Sequence, residues 1–278
     1  MDNKLLLLIV DGVPWHNFRR YFGNLEAWVE AGEARVWKSR SCLPSISGPC
    51  YATIHTGVDP VVHGCTSNND VTRLDLPDIF SEVRKAGGVT ASVTHSFWSE
   101  FFNRAPFVAA RDIEYDEPDS TSINHGRFHT MTGAGANNKM SPSDYDLFAT
   151  ISNLIDRFGV NYCIYHSCTL DNAGHQFGHD CSAMDSACNT LDAQLAPFIK
   201  EWRSGGYEII VTADHGQSQR GHHGGAGEDQ QDTALYYFGP AQGPDSDALL
   251  TISQIAPTVL SRLGVPIPPT MTKGSFLV

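Results

Sequence analysis

The first strongly apolar run of the chain, LLLLIV at residues 5–10, is followed at once by Asp11 and Gly12. Six branched aliphatic residues are too few to cross a membrane or to form the core of an export signal, and they read as a buried strand. Five more short runs rich in β-branched or aromatic residues follow it: ARVW (34–37), VTASVT (89–94), NYCIYHS (161–167), EIIVTA (208–213) and ALYYFG (234–239). Helix-like stretches at 77–86, 144–158, 183–204 and 251–263 separate them. This alternation predicts an α/β chain, a three-layer α/β/α sandwich whose central sheet is mostly parallel and covered on both faces. No linker or internal repeat divides residues 1–278, so a single catalytic domain is expected. The polar, Gly-, Asn- and Ser-rich stretch from about 112 to 143 has weak periodicity, and loops of that length are commonly lids, so a small, reduced cap is expected there.

Three of these strands run directly into metal-type donors. LLLLIVDG delivers Asp11, NYCIYHSCTLDNAGH delivers Asp171 and His175, and EIIVTADHG delivers Asp214 and His215. In open α/β sheets the site lies beyond the carboxyl ends of the strands, which brings all of these groups to one edge. An Asp after a strand is often only a turn residue or helix cap, and an Asp-His pair can be a simple hydrogen-bonded couple. Three carboxylates gathered together, however, are a costly concentration of like charge unless a cation neutralises them. Carboxylates and imidazoles without cysteine suit zinc first and manganese second. Two divalent ions about 4 Å apart would form the clamp of two-metal phosphoryl transfer.

The net charge of −12 argues against a nucleic-acid polymer or a membrane surface as partner, because both are met with basic patches. Two divalent ions against three aspartates would leave the pocket at roughly +1 and so draw a small anionic substrate despite the acidic surface. Seven cysteines, at 42, 50, 65, 163, 168, 181 and 188, are an odd number with no C-x-x-C pair. Reduced thiols and a cytoplasmic location are expected, with Cys50 a small packing residue. The oligomeric state is not legible in the sequence.

The segment LPSISGPCYATIHTG (43–57) places Ser47 at the start of a short helix. Ser is a favoured N-cap and Pro49 fits the first turn, so one reading of Ser47 is a helix cap. A helix N-terminus also favours anions, so the same position suits a nucleophile that receives a phosphoryl group.

Taken in order, VDG, PSISGP, TGVDPVVHGCTSN, LDNAGHQFG, TADHG and HHGG resemble the alkaline phosphatase superfamily, and within it the type I phosphodiesterase/nucleotide pyrophosphatase family. The ending ISQIAPTVLSRLGVPIPPTMTKGSF is similar to the superfamily's closing helix and loop, so the resemblance runs from about residue 5 to 276. It implies that Asp11, Ser47, Asp214 and His215 bind one metal, with Ser47 as nucleophile. Asp171, His175 and a third ligand would bind the other. That third ligand is taken as His223, which is followed by Gly, with His222 as the alternative. Asn68 matches the residue that helps bind a phosphate oxygen.

The expected activity is metal-dependent hydrolysis of a phosphodiester or nucleotide-like phosphate through a phospho-serine on Ser47. The alternatives are a phosphomonoesterase or phosphomutase of the same superfamily, or a silent metal-binding protein. The family's nucleotide pyrophosphatases carry Thr followed by Phe where this chain has Ser47 and Gly48, which removes one wall of a nucleobase slot. The aromatics Phe97, Trp98, Phe101 and Phe102 could supply another wall, although core packing is the commoner role for such a cluster. His95 and His125 are weighed as pocket residues against ordinary surface or core positions. Tyr51 stands where an arylsulfatase needs Arg, which disfavours that chemistry.

Overall fold

The computed structural model describes residues 1–131 and 140–278. Among the described residues nine strands form one sheet: β1 (Leu5–Val10), β2 (Arg35–Arg40), β3 (Thr90–His95), β4 (Glu114–Asp116), β5 (His125–His129), β6 (Tyr162–Ser167), β7 (Glu208–Thr212), β8 (Asp232–Phe238) and β9 (Leu249–Thr251). Their order is β4-β5-β3-β6-β1-β7-β8-β2-β9. The five strands β5, β3, β6, β1 and β7 are mutually parallel, while β8 and β4 run against their neighbours. The sheet is therefore mixed but mostly parallel, as the alternation of apolar runs predicts.

The all-aliphatic strand β1 sits near the middle because both of its faces are covered. Leu5, Leu7 and Ile9 join one apolar cluster, and Leu6, Leu8 and Val10 join the other. The first cluster is completed by helices Ser47–Thr56, Ile79–Lys85, Ser96–Phe102 and Ile255–Leu263. The second is completed by Trp15–Tyr21, Gly23–Glu30, Asp144–Phe158 and Ser182–Ser204. Alternation of side chains along a strand thus produces the three layers. Among the described residues no helix is long and apolar enough to cross a membrane.

Two helical expectations shift in detail. The stretch 251–263 opens with a 3-10 turn, Ile252–Gln254, before the helix Ile255–Leu263. The stretch expected to form a cap, 112–143, begins instead with β4 and β5, which extend the main sheet. Ala91 to His95 of β3 pair in register with His125 to His129 of β5. These strands are three and five residues long and carry charged or imidazole side chains, so they lack the apolar signature of the central strands. The Arg127 guanidinium and the His125 Nδ1–H both reach the Asp116 carboxylate, at 2.9 and 2.7 Å, which locks β5 to its edge neighbour. Residues 132–139 of the expected cap lie outside the described residues.

Candidate active site

Because β6, β1 and β7 are adjacent and parallel, the residues that follow them emerge side by side. Asp11 comes directly after β1, Asp214 two residues after β7, and Asp171 in the helix Thr169–Phe177 that follows β6. Gly12 allows the sharp exit from β1. Its φ of +75° is strained for other residues, and a Cβ there would lie 2.8 Å from the Asp171 carboxylate.

The first group of donors converges on His215. Its Nδ1–H donates to the Gly216 carbonyl at 3.0 Å, which leaves Nε2 as a lone pair. Around that nitrogen stand Asp11 Oδ1 at 3.4 Å, Asp214 Oδ2 at 3.3 Å and Ser47 Oγ at 3.3 Å. With the carboxylates ionised, only the Ser47 hydroxyl has a proton to offer. Asp11 Oδ1 and Asp214 Oδ2 are buried with no hydrogen-bond partner among the described residues. Acceptors and a lone pair facing one another leave unpaired charge that a cation would satisfy. Their spacing matches the roughly 3.3–3.5 Å between ligands held about 2.0–2.2 Å from one ion.

The second group follows the same logic. His175 Nδ1–H donates to the Gly221 carbonyl at 2.7 Å, and His223 Nδ1–H donates to the Ser45 carbonyl at 3.2 Å. Both Nε2 atoms are therefore lone pairs, yet they face each other at 3.2 Å. Asp171 closes the triangle, with Oδ2 3.3 Å from His175 and Oδ1 3.7 Å from His223. The two groups share one pocket, since Asp11, Asp171 and His215 offer ligand atoms within 4.8 Å of one another. The donor set thus fits two divalent cations. His222 is exposed, and the structure turns its neighbour His223 into the cluster.

Ser47 is the first residue of its helix, with Ile46 at the cap position and no side-chain cap bond. Its hydroxyl is engaged with His215 instead, so the capping reading does not hold. The helix around it is buried at every residue. Asn68 lies beside the same helix start and its Oδ1 accepts the Gly48 N–H at 2.7 Å, leaving the side-chain NH2 as a donor group.

The electrostatics express the same strain. Burial would raise the Asp11 pKa, but the His166 hydrogen bond, the His215 and His166 charges and the Tyr51 hydroxyl outweigh it and hold Asp11 well below the usual carboxylate range. Burial and the neighbouring Asp11 and Asp171 charges push Asp214 far up. The Asp171 carboxylate raises the pKa of His175 against the opposing effect of burial. Burial and the His215 charge lower His223 to about 4. Protons and cations would compete for this pocket.

Sequence reasoning missed the residues that hold these groups. The Tyr51 hydroxyl and His166 Nε2–H both donate to Asp11 Oδ2, the latter at 3.1 Å. Gln217 donates to both the carboxylate and the carbonyl of Asp171, at 2.5 and 3.1 Å. Gly174 makes room for Gln217, whose Oε1 would lie 1.6 Å from a Cβ added there. A histidine inside the apolar run NYCIYHS was the one visible signal. Trp98, Phe101 and Phe102 belong to the buried core and form no pocket wall, and Trp98 stacks on Tyr51 at 5.1 Å behind Asp11. Phe97 is half-buried and packs against that core. His125 stacks on Phe158 at 3.7 Å, at the start of β5 rather than at the site edge. His95 caps the helix Ser96–Phe102 by accepting the Phe97 N–H.

The fold and its donors define a class: a three-layer α/β protein with a carboxylate–imidazole cluster and a helix-start hydroxyl at the carboxyl edge of its sheet. The profile of the type I phosphodiesterase / nucleotide pyrophosphatase family matches residues 5–225. The chain belongs to that family. It is similar to the 2,3-bisphosphoglycerate-independent phosphoglycerate mutase of Ruegeria pomeroyi, with 26% identity over 264 residues covering 87% of this chain and 50% of that protein. It is also similar to the catalytic subunit of human GPI ethanolamine phosphate transferase 3, with 19% identity over 245 residues covering 86% and 21%. The chain spans about a fifth to a half of the length of these curated relatives. Murine ectonucleotide pyrophosphatase / phosphodiesterase 5 in complex with AMP has the same fold, with a TM-score of 0.71 over 100% of both chains at 12% identity.

Proposed function

We propose that this protein hydrolyses a small phosphodiester or nucleotide-like phosphate, with Ser47 as nucleophile and two divalent cations, zinc first and manganese second. Asp11, Ser47, Asp214 and His215 would hold one cation, and Asp171, His175 and His223 the other. The observation that carries this reading is the pair of imidazole lone pairs, His175 and His223 Nε2, facing each other 3.2 Å apart beside Asp171. When bound, the cations would lower the pKa of the Ser47 hydroxyl and neutralise substrate charge.

The chain's own residues supply position. The start of helix Ser47–Thr56 favours an anion beside the Ser47 oxygen, and the Asn68 amide offers hydrogen bonds to a phosphate oxygen. Ser47 Oγ forms a bond to phosphorus, the ester oxygen leaves, and the hydroxyl proton passes to solvent. Attack by water on the phospho-serine then releases phosphate or a phosphomonoester and restores the hydroxyl. A diester substrate agrees with the family and with Asn68.

The test compares bis-p-nitrophenyl phosphate with p-nitrophenyl phosphate, using protein supplied with zinc or manganese. Turnover of the diester is expected to exceed that of the monoester, and Ser47→Ala is expected to abolish it while metal remains bound. Absence of turnover on both esters with every divalent ion would overturn the reading. The similarity to phosphoglycerate mutases supports one alternative, in which the phosphoryl group returns to the substrate. That enzyme would interconvert 2- and 3-phosphoglycerate while releasing little free phosphate.

A further inference from the structure

Behind Asp11, away from His215, lies a second buried group of donors that the reaction does not use. His129 ends β5, His166 lies in β6, and Cys168 precedes the helix Thr169–Phe177. Each offers one ligand atom, and the three atoms lie within 4.8 Å of one another. All three residues are buried, with His129 at 7%, His166 at 0% and Cys168 at 3% exposure. Among the described residues, both ring nitrogens of His129 and the Nδ1 of His166 have no hydrogen-bond partner. Three orphaned imidazole nitrogens in one buried space are costly, because buried polar atoms are nearly always paired with protein, water or an ion.

The tautomer of His166 sharpens the argument. Its Nε2–H donates to Asp11 Oδ2 at 3.1 Å, so its Nδ1 is a lone pair with nothing to receive. A carboxylate that orients an imidazole through one nitrogen while the other is left open is the arrangement found behind metal-bound histidines. Around it the walls are apolar and aromatic. Tyr51 meets the His166 ring edge-on at 4.6 Å, and Trp98 lies 6.2 Å from it. His95 approaches His129 at 6.0 Å between ring centroids.

We propose that His129, His166 and Cys168 form a third cation site, separate from the two-cation cluster and suited to a thiophilic divalent ion such as zinc. Two imidazoles and one sulfur are borderline-to-soft donors that favour zinc over magnesium or calcium. Ligand atoms around one ion stand roughly 3.3–3.7 Å apart, so closure needs side-chain shifts of about 1 Å from the present spacing. On binding, the Cys168 thiol loses its proton to solvent and the sulfur becomes a ligand. The ion would tie the ends of β5 and β6 together and fix His166 against Asp11, so that Asp11 is oriented from behind. Its ligands are distinct from those proposed for the reaction, and the two readings can fail separately.

Cobalt(II) tests this directly, because cysteine is absent from the two-cation cluster. Full-length protein is stripped with chelator and titrated with cobalt(II), while near-ultraviolet absorption reports thiolate-to-cobalt charge transfer. Bound cobalt is counted, and diester turnover is measured in parallel. The expected result is three cobalt ions per chain and a thiolate band. Cys168→Ser is expected to lose the band and one ion. His129→Ala, on a different strand, is expected to do the same, which guards against a folding artefact in the first variant. A Cys42→Ser control keeps the band, since Cys42 and Cys50, with sulfurs 3.6 Å apart, are the competing thiol source. Turnover in a wild-type protein that shows no thiolate band, or a band that survives Cys168→Ser, overturns the third site and leaves the reaction untouched.

Discussion

At the level of single residues, the site is governed by which atom of each imidazole carries the proton. His175, His215 and His223 all give their Nδ1–H to a backbone carbonyl, so three Nε2 lone pairs enter one pocket. The adjacent histidines 222 and 223 are equivalent in composition and opposite in placement, one exposed and one turned inward. His223→Ala is therefore expected to lower kcat/KM by roughly 100-fold or more, as removal of a proposed metal ligand should, whereas His222→Ala should leave it within about two-fold, in line with exposed substitutions. Diester turnover at saturating zinc distinguishes them. Gln217 acts through another group: it holds Asp171 by two hydrogen bonds, one to the carboxylate and one to the backbone carbonyl. Gln217→Ala is expected to weaken metal affinity by about 10–100-fold. Competition against a chromogenic chelator would read this, and excess metal should restore turnover. Asp and His at strand ends were legible because the strand pattern is local. Gln217, Tyr51 and His166 were not, since each acts on a residue 40 to 155 positions away.

Among the elements, the helix Pro60–His63 shows how buried imidazoles bind stability to pH. His63 Nδ1 accepts the Cys65 N–H at 3.2 Å, so its Nε2–H donates to the Thr53 hydroxyl oxygen at 3.0 Å. Burial is the main reason that its pKa falls to about 4. A histidine lowered from 6.5 binds its proton less tightly when folded, so between about pH 6.5 and 4 the unfolded chain holds more protons. Stability from this group is complete above pH 6.5 and is lost as the pH falls through that window, by at most about 1.4 kcal/mol per pH unit. Urea unfolding of metal-free protein from pH 7 to 4 should show this loss. His63→Gln should have a shallower slope than the wild type across the same window, and an equal slope would refute the assignment. Strand legibility followed burial: the fully buried β1, β3 and β6 were found within a residue of their ends, whereas β4 and β9, each three residues long with exposed positions, left no periodicity to read.

For the molecule as a whole, three carboxylates gathered beneath one edge of the sheet are a folding cost that cations would relieve. Bound metal should stabilise the folded state by about 2.7 kcal/mol when present at 100 times its Kd. For a chain of this size that corresponds to a Tm rise of roughly 5–10 °C, and chelation should reverse it in a thermal melt followed by circular dichroism. An unchanged Tm on chelation of metal-loaded protein would contradict the proposed cluster. The sequence by itself determined the layered α/β plan, because short, continuously apolar runs and their helical connections carry that information within a few residues. It also indicated which side chains leave the strand ends, since those positions follow from the strands themselves. Only the tertiary structure decided that β4 and β5 extend the sheet where a cap was expected, and that Trp98 packs behind Tyr51 instead of lining a slot. These outcomes depend on neighbours distant along the chain, and no local pattern encodes which strands pair at a sheet edge or which aromatic rings a folded core encloses.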